Sequence, residues 1–233
     1  TKVPYITEDD VHSTDYQCHR YFHSEAAANL TKESWIGENT IHVLNHCYYE
    51  NVSEELSESL TTLFTRLGFK EFDKASFISS VLVDDAAFKQ NINTAIEDDF
   101  DSNRAFVEYV FDCDVQLKEL SLKDFVLCCV NIDGDEQYLC NDDVRYFDQD
   151  AYAQNSKYTD NTSHEWLTNT MMYALSNAYF DGLEKEDAKK LESFLRQQFG
   201  IKTYTDKSFF LDVVLKNRAV IYESLTDKTS FET

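Results

Sequence analysis

The sequence predicts a predominantly helical α+β fold: a tandem repeat of a helical module that carries a small, winged-helix-like β-hairpin, with the second copy incomplete. Three observations carry that prediction. Glycine and proline are scarce, 5 and 1 in 233 residues, which favours helices joined by short turns over long irregular linkers. A set of residues recurs at a fixed displacement along the chain. The helical spacing of apolar residues also gives way once, to a continuous apolar run followed by the turn signal Asp133-Gly134.

The repeat is read by laying the chain over itself. Leu63, Gly68, Lys70, Ser76, Phe77 and Val81 return as Leu195, Gly200, Lys202, Ser208, Phe209 and Val213, each displaced by 132 positions. Upstream, the two tryptophans, Trp35 and Trp166, stand 131 apart, and the same displacement pairs Leu44 with Leu175 and Tyr48 with Tyr179. Further upstream, Val3-Pro4-Tyr5-Ile6 resembles Val144-Arg145-Tyr146-Phe147 at a displacement of 141, which places about ten extra residues in the first copy near 19–28. The expected domains are a first repeat unit over residues 1–143 and a second, truncated unit over 144–233. A repeat broken off mid-unit, in a chain that begins at Thr1, gives the expectation of a segment of a larger protein.

Each element has a local reason. Residues 35–49 set Trp35, Ile36, Ile41, Val43, Leu44, Cys47 and Tyr48 near helical spacing, and 166–178 do the same, so a helix is expected in each. A second helix runs from Ser53, an N-cap, to Leu67, with Gly68 where a left-handed C-cap belongs; residues 189–199 and Gly200 repeat it. Residues 73–83 and 206–215 form a third helix, followed by a polar break and a fourth. Phe106, Val107, Val110 and Phe111 mark one face of a fifth helix over 103–111. The hairpin joins 125–130 to 137–140.

Charge narrows the function. With 43 acidic against 21 basic residues, the net charge is −22, and the acids are spread along the whole chain. Such a field repels phosphate backbones and anionic lipid heads, so neither nucleic acid nor a membrane surface is an expected partner; a protein partner is, and a basic one would complement this surface. No apolar stretch approaches the length of a bilayer span. The six cysteines lack CxxC spacing, and the adjacent Cys128 and Cys129 sit in an apolar run, as reduced core thiols do; a cytoplasmic location is expected. The sequons at Asn29, Asn51 and Asn161 carry no weight in an Asn-rich chain.

No constellation names a reaction, and no catalytic, cofactor-binding or metal residue is expected. Were a metal held, His19, His23, His42 and His46 would be the candidates. His42 and His46 stand at i and i+4 beside Glu38 and Glu50, a spacing that binds metal on one helix face. Val43 fills the place where HExxH needs its base, and surface histidines beside acids are the ordinary reading. His12, Cys18, His19 and His23 fall within twelve residues, as a zinc staple on a loop would, although the spacing is that of no known finger. Asn131, Asp133, Asp135 and Asp142 imitate a calcium loop, but Glu136 stands where the glycine is needed, and a hairpin turn explains the same residues. The acidic run 97–101 reads as a solvated junction with an N-cap. There is no GxSxG, and five glycines leave no phosphate cradle.

Residues 64–70 (FTRLGFK), 76–82 (SFISSVL), 105–111 (AFVEYVF) and the hairpin ending Gln137-Tyr138-Leu139-Cys140 resemble the tandem C-terminal modules of large bacterial sacsin-like proteins. The resemblance spans residues 50–145 and recurs partly in 185–225. Those proteins carry an Hsp90-type ATPase domain near the N-terminus, so the resemblance implies a module of a multidomain protein. No ATP-binding motif stands in this chain, and no ATPase residue carries over. The expected function is that of a non-catalytic repeat, an interaction or scaffold segment of a larger multidomain intracellular protein. A winged-helix nucleic-acid module and a metal-dependent hydrolase fragment are the alternatives. The first would need a basic stripe, and Lys185, Lys189, Lys190, Lys202 and Lys207 all have acidic neighbours.

Overall fold

The computed structural model describes residues 4–7, 11–13, 18–37, 40–113, 121–131, 134–140, 145–146 and 170–229, and the chain divides into two units, 1–116 and 117–233. In the first, β1 (Pro4–Ile6) and β2 (Val11–Ser13) pair as an antiparallel hairpin. β3 (His19–Tyr21), β4 (Ile41–Val43) and β5 (Phe69–Lys70) form a parallel sheet in the order β4-β3-β5. Parallel neighbours need crossovers, and α1 (Glu25–Leu30) and α2 (Glu54–Arg66) supply them. The hairpin joins the sheet through the antiparallel bridge Thr7↔Leu44 and the Asn45 N–H, which donates to the Ile6 carbonyl at 3.1 Å.

Local chemistry sets the helix ends. The Ser53 hydroxyl accepts from the Leu56 N–H at 3.3 Å; Glu54 and Glu55 sit in the first turn of α2 and Arg66 in the last, each complementing the helix dipole. The chain leaves α2 through Gly68 at φ 91°, where a Cβ would be strained. α3 (Lys74–Ser76), capped by Asp73, runs on into a π-helical stretch, Phe77–Val83. α4 (Ala86–Ile96) is capped by Asp85 and α5 (Phe100–Phe111) by Asp99. Two cores result. Tyr5, Phe22, Leu44, Phe64 and Phe69 cluster where α2 meets the strands. Ile78 and Leu82, Phe88, Ile92 and Ile96 of α4, and Phe106, Val107 and Val110 of α5 are all buried. α5 also meets Trp35, with Phe106 and Tyr109 ring centroids 5.3 and 4.9 Å away, and Tyr109 lies 6.4 Å from Phe77.

The second unit begins with the hairpin β6 (Leu127–Val130) and β7 (Glu136–Leu139), and adds β8 (Arg145–Tyr146) and β9 (Tyr173–Leu175) in the order β7-β6-β9-β8. α6 (Lys185–Gln198) follows, then Gly200 at φ 72°. α7 (Asp206–Phe209), fixed by a Thr205/Ser208 capping box, runs into π-helical Phe210–Val214, and α8 (Arg218–Thr229) ends the described chain.

Unit 2 thus repeats the element order of unit 1, and the likeness extends to single hydrogen bonds. The Tyr48 hydroxyl accepts from the Ile6 N–H at 3.1 Å, and the Tyr179 hydroxyl from the Cys128 N–H at 2.8 Å. Asn45 N–H donates to the Ile6 carbonyl and Ser176 N–H to the Cys128 carbonyl, each at 3.1 Å. Thr7 bridges Leu44 as Cys129 pairs with Leu175, both antiparallel. β3 and β8 run parallel to β4 and β9, with Arg20 opposite His42 and Arg145 opposite Tyr173. A π-helix is a rare element, and one follows the short third helix in both units. Phe77 and Phe209 enter these stretches and are both buried.

Four expectations change. Residues 35–49 are not a helix but β4 and a 3₁₀ turn, His46–Tyr49, matched by β9 and Asn177–Phe180; a three-residue strand buried throughout shows no period that separates it from a helix. Trp166 lies outside the described residues. A short strand at Phe69–Lys70 interrupts the expected helix, glycine, helix sequence, matched by a single bridge residue, Lys202. The third correction is the boundary. The hairpin assigned to the end of the first unit opens the second, because β6 pairs with β9, so the division falls at 116/117 and not at 143/144. The same pairing makes β6 an interior strand of a mixed sheet, which is not the place of a winged-helix wing. Lastly, strand pairing equates Arg20-Tyr21 with Arg145-Tyr146, a displacement of 125 that replaces the 141 read from the sequence. Among the described residues it is α5 that has no counterpart following α8.

Candidate functional site

A cluster of polar residues lies in unit 1, where β1, β3 and β4 meet. The Arg20 Nε–H donates to the Tyr5 hydroxyl at 3.1 Å, and that hydroxyl lies 2.6 Å from His42 Nδ1. Since guanidinium can only donate, the phenol accepts from Arg20; the imidazole tautomer sets the direction of its bond with Nδ1. Cys18 Sγ approaches the same nitrogen at 3.3 Å. Tyr5 and His42 are buried, and burial pushes the Tyr5 phenol up to about 12.

A cleft of about 450 Å³ opens beside this network, lined by Cys18, His19, Thr40, Asp85, Phe88 and Asn91. His19 Nε2 lies 3.0 Å from Asp85 Oδ2, and its ring stands edge-on to Phe88 at 5.2 Å. Burial holds the His19 pKa below the usual imidazole value even against the Asp85 carboxylate, so a neutral ring is present at pH 7. Asp85 is itself held below the usual carboxylate value, chiefly by the Phe88 backbone N–H that it caps. Where β3, β4 and β5 end, a shallower cleft of about 310 Å³ is lined by His23, His46, Tyr49, Thr61 and Glu71. The His23 and His46 rings are 5.4 Å apart, and His46 Nε2 meets Glu50 Oε1 at 3.0 Å.

These positions redistribute the sequence candidates. His42 and His46 do not share a helix face: His42 lies inside β4 and His46 begins the 3₁₀ turn. His19 and His23 do not come together with Cys18 as a staple; Cys18 turns to His42, His19 to Asp85 and His23 to His46. The side chain of His12 lies outside the described residues. Among the described residues, no three His, Cys, Asp or Glu side chains gather as metal ligands. Asn131, of the calcium-like run, instead builds a turn: its side-chain oxygen accepts from the Asp135 N–H at 2.8 Å, with Gly134 at φ 90°. Asp133 and Asp142 lie outside the described residues. Asp99, from the acidic run, caps α5 as expected. The six cysteines are thiols, and burial holds Cys128 up at about 11.

No family model matches the chain, and no curated protein or solved structure matches it.

A thiol beside an imidazole has the atoms of a nucleophile and its base. Two features oppose that use of Cys18. Burial raises its pKa, which favours the unreactive thiol, and the Tyr5 hydroxyl, at 2.6 Å, lies closer to His42 Nδ1 than the thiol does. What the network does is tie three strands together. The framework equivalences put Leu127 and Tyr173 of unit 2, both buried, where unit 1 has Tyr5 and His42. Sequence reasoning missed Tyr5, Arg20 and Asp85 as members of these clusters. The triplet Arg-Tyr-Phe, at 20–22 and again at 145–147, was the signal that would have located β3 and with it Arg20.

Proposed function

We propose that this chain is a non-catalytic scaffold segment of a larger multidomain intracellular protein, two copies of one ancestral module that present surfaces to protein partners. One observation carries the reading: the hydrogen bonds that recur between the units are those of the framework, whereas among the described residues Tyr5 and His42 of the unit 1 cluster are replaced by Leu127 and Tyr173. A catalytic function built into the module would place its chemistry in the shared part. The acidic surface, at net charge −22, complements a basic protein partner and opposes nucleic acid. The interior position of β6 argues against the nucleic-acid alternative, since a hairpin inside a sheet is not presented to a groove. Among the described residues no helix is long and apolar enough to cross a membrane.

Elemental analysis and DNA titration of the purified chain test this reading. Substoichiometric zinc and no salt-sensitive DNA binding are expected. One equivalent of zinc per chain, lost in His23→Ala or His42→Ala, overturns it. So does micromolar DNA binding that weakens steeply with salt.

A further inference from the structure

A sulfur, a nitrogen and an oxygen donor converge on one point in unit 1. Cys18 Sγ lies 3.3 Å from His42 Nδ1 and 3.8 Å from the Tyr5 hydroxyl, and that hydroxyl lies 2.6 Å from the same nitrogen. Donors that share a metal ion, at bonds of about 2.0–2.3 Å and angles near tetrahedral, stand roughly 3.5 Å apart. The two sulfur distances bracket that separation. Tyr5 and His42 are buried, whereas Cys18 is half-buried and lines the cleft of about 450 Å³, so the cleft gives a path to this residue.

Charge decides which ion the set suits. The Arg20 Nε–H donates to the Tyr5 hydroxyl at 3.1 Å, and the guanidinium carbon lies 5.7 Å from the centre of the Tyr5 ring, so a positive charge already stands against the donors. A monovalent cation exchanged for the Cys18 thiol proton, which passes to solvent, leaves the net charge of the buried set unchanged. A divalent ion exchanged for the same proton adds a positive charge beside the guanidinium, at a cost in desolvation. Zinc also completes a set of four ligands, and this set offers a thiol, an imidazole and a phenol. Thiolate and imidazole suit soft copper(I), which is content with a low coordination number. Burial raises the Cys18 pKa because a bare thiolate there lacks a compensating charge; a bound cation supplies it.

We propose that Cys18 Sγ and His42 Nδ1 hold one copper(I) ion, with the Tyr5 hydroxyl as a weaker third neighbour and the cleft as the way in. The site belongs to unit 1: Leu127 and Tyr173 stand at the places of Tyr5 and His42 in unit 2, and they bring neither sulfur nor imidazole. It goes beyond the scaffold reading and does not rest on it.

Titration of the full chain with copper(I), kept reduced by ascorbate without oxygen and buffered by a chromogenic chelator, is the test. One equivalent withdrawn from the chelator is expected, with affinity reduced about tenfold or more in Cys18→Ser and in His42→Gln. Cys47→Ser, which changes an exposed thiol outside the set, leaves that affinity unchanged. Far-UV circular dichroism checks that the variants keep their fold. X-ray absorption at the copper edge of the unmutated chain needs no variant, and sulfur together with histidine nitrogen is expected around the metal. No withdrawal of copper, binding that Cys18→Ser leaves unchanged, or coordination by sulfur alone overturns the proposal. Absence of copper binding leaves the zinc and DNA tests of the scaffold reading untouched.

Discussion

Unit 1 and unit 2 share a framework and differ in how they finish it. Both hang a hairpin on a parallel strand pair through one tyrosine hydroxyl and one backbone bond, and both leave their long helix through a left-handed glycine. Unit 1 then adds a Tyr5, His42 and Cys18 network, with Tyr5 and His42 buried, and buries Ile78 and Phe88; unit 2 has Leu127 and Tyr173 at the first place and exposes Phe210 and Val220 at the second. The difference separates what both units use from what one unit has in addition. Backbone groups leaving a strand must be bonded in any copy, whereas a buried polar cluster can be exchanged for apolar packing of similar volume.

The largest expected effect tests the shared aromatic. Phe77→Ala costs about 3–5 kcal/mol, and Phe209→Ala falls at or below the low end of that range, because its side chain lies beneath an uncovered face. Urea unfolding of the two variants measures it, and a greater loss for Phe209→Ala would break the comparison. Next come the tyrosine hydroxyls. Tyr179→Phe leaves the buried Cys128 N–H without its acceptor and costs about 1–3 kcal/mol, while Tyr48→Phe, at a half-exposed site where water can substitute, costs about 0.5–1 kcal/mol. Equal losses would mean that burial does not separate the two bonds.

Gly68→Ala and Gly200→Ala should cost about 1–2 kcal/mol each, and nearly the same amount, since both residues hold left-handed φ. At Gly68 a Cβ would meet nothing nearer than an Arg20 nitrogen at 3.7 Å, so the backbone alone sets the cost there. The smallest effect is pH-dependent. His19 has a folded pKa below its ordinary 6.5, so the unfolded chain takes up that proton more readily; the stability present above pH 6.5 is lost as the pH falls below it. Asp85, whose folded pKa is below 3.8, keeps its contribution until the pH falls below 3.8. A decline in urea midpoint just below pH 6.5 that His19→Gln removes assigns this mild-acid sensitivity to unit 1. A decline unchanged in that variant places its origin elsewhere.

Legibility followed the range of the interactions. Gly68, Gly200, Ser53 and Asp99 were readable because a cap or a left-handed residue is settled within one helical turn of itself. α5 was readable from the spacing of Phe106, Val107 and Val110. β4 and β9 were not, since three buried residues in a row carry no period, and the first unit's boundary was misplaced because β6 pairs with a strand more than forty residues further on. The clusters failed for the same reason. Cys18 and His19 are neighbours in sequence, yet alternate strand positions and flanking elements send one to His42 and the other to Asp85.

The sequence by itself determined the predominantly helical α+β class and the helix ends at Ser53, Gly68, Asp99 and Gly200, because periodicity and capping are local properties of the chain. Tertiary structure decided where one unit ends and the next begins, which histidine meets which partner, and that Ile78 is covered while Phe210 is not. Those outcomes depend on strand pairing and on packing between elements distant in the chain, and neither is encoded within a few residues of the positions it controls.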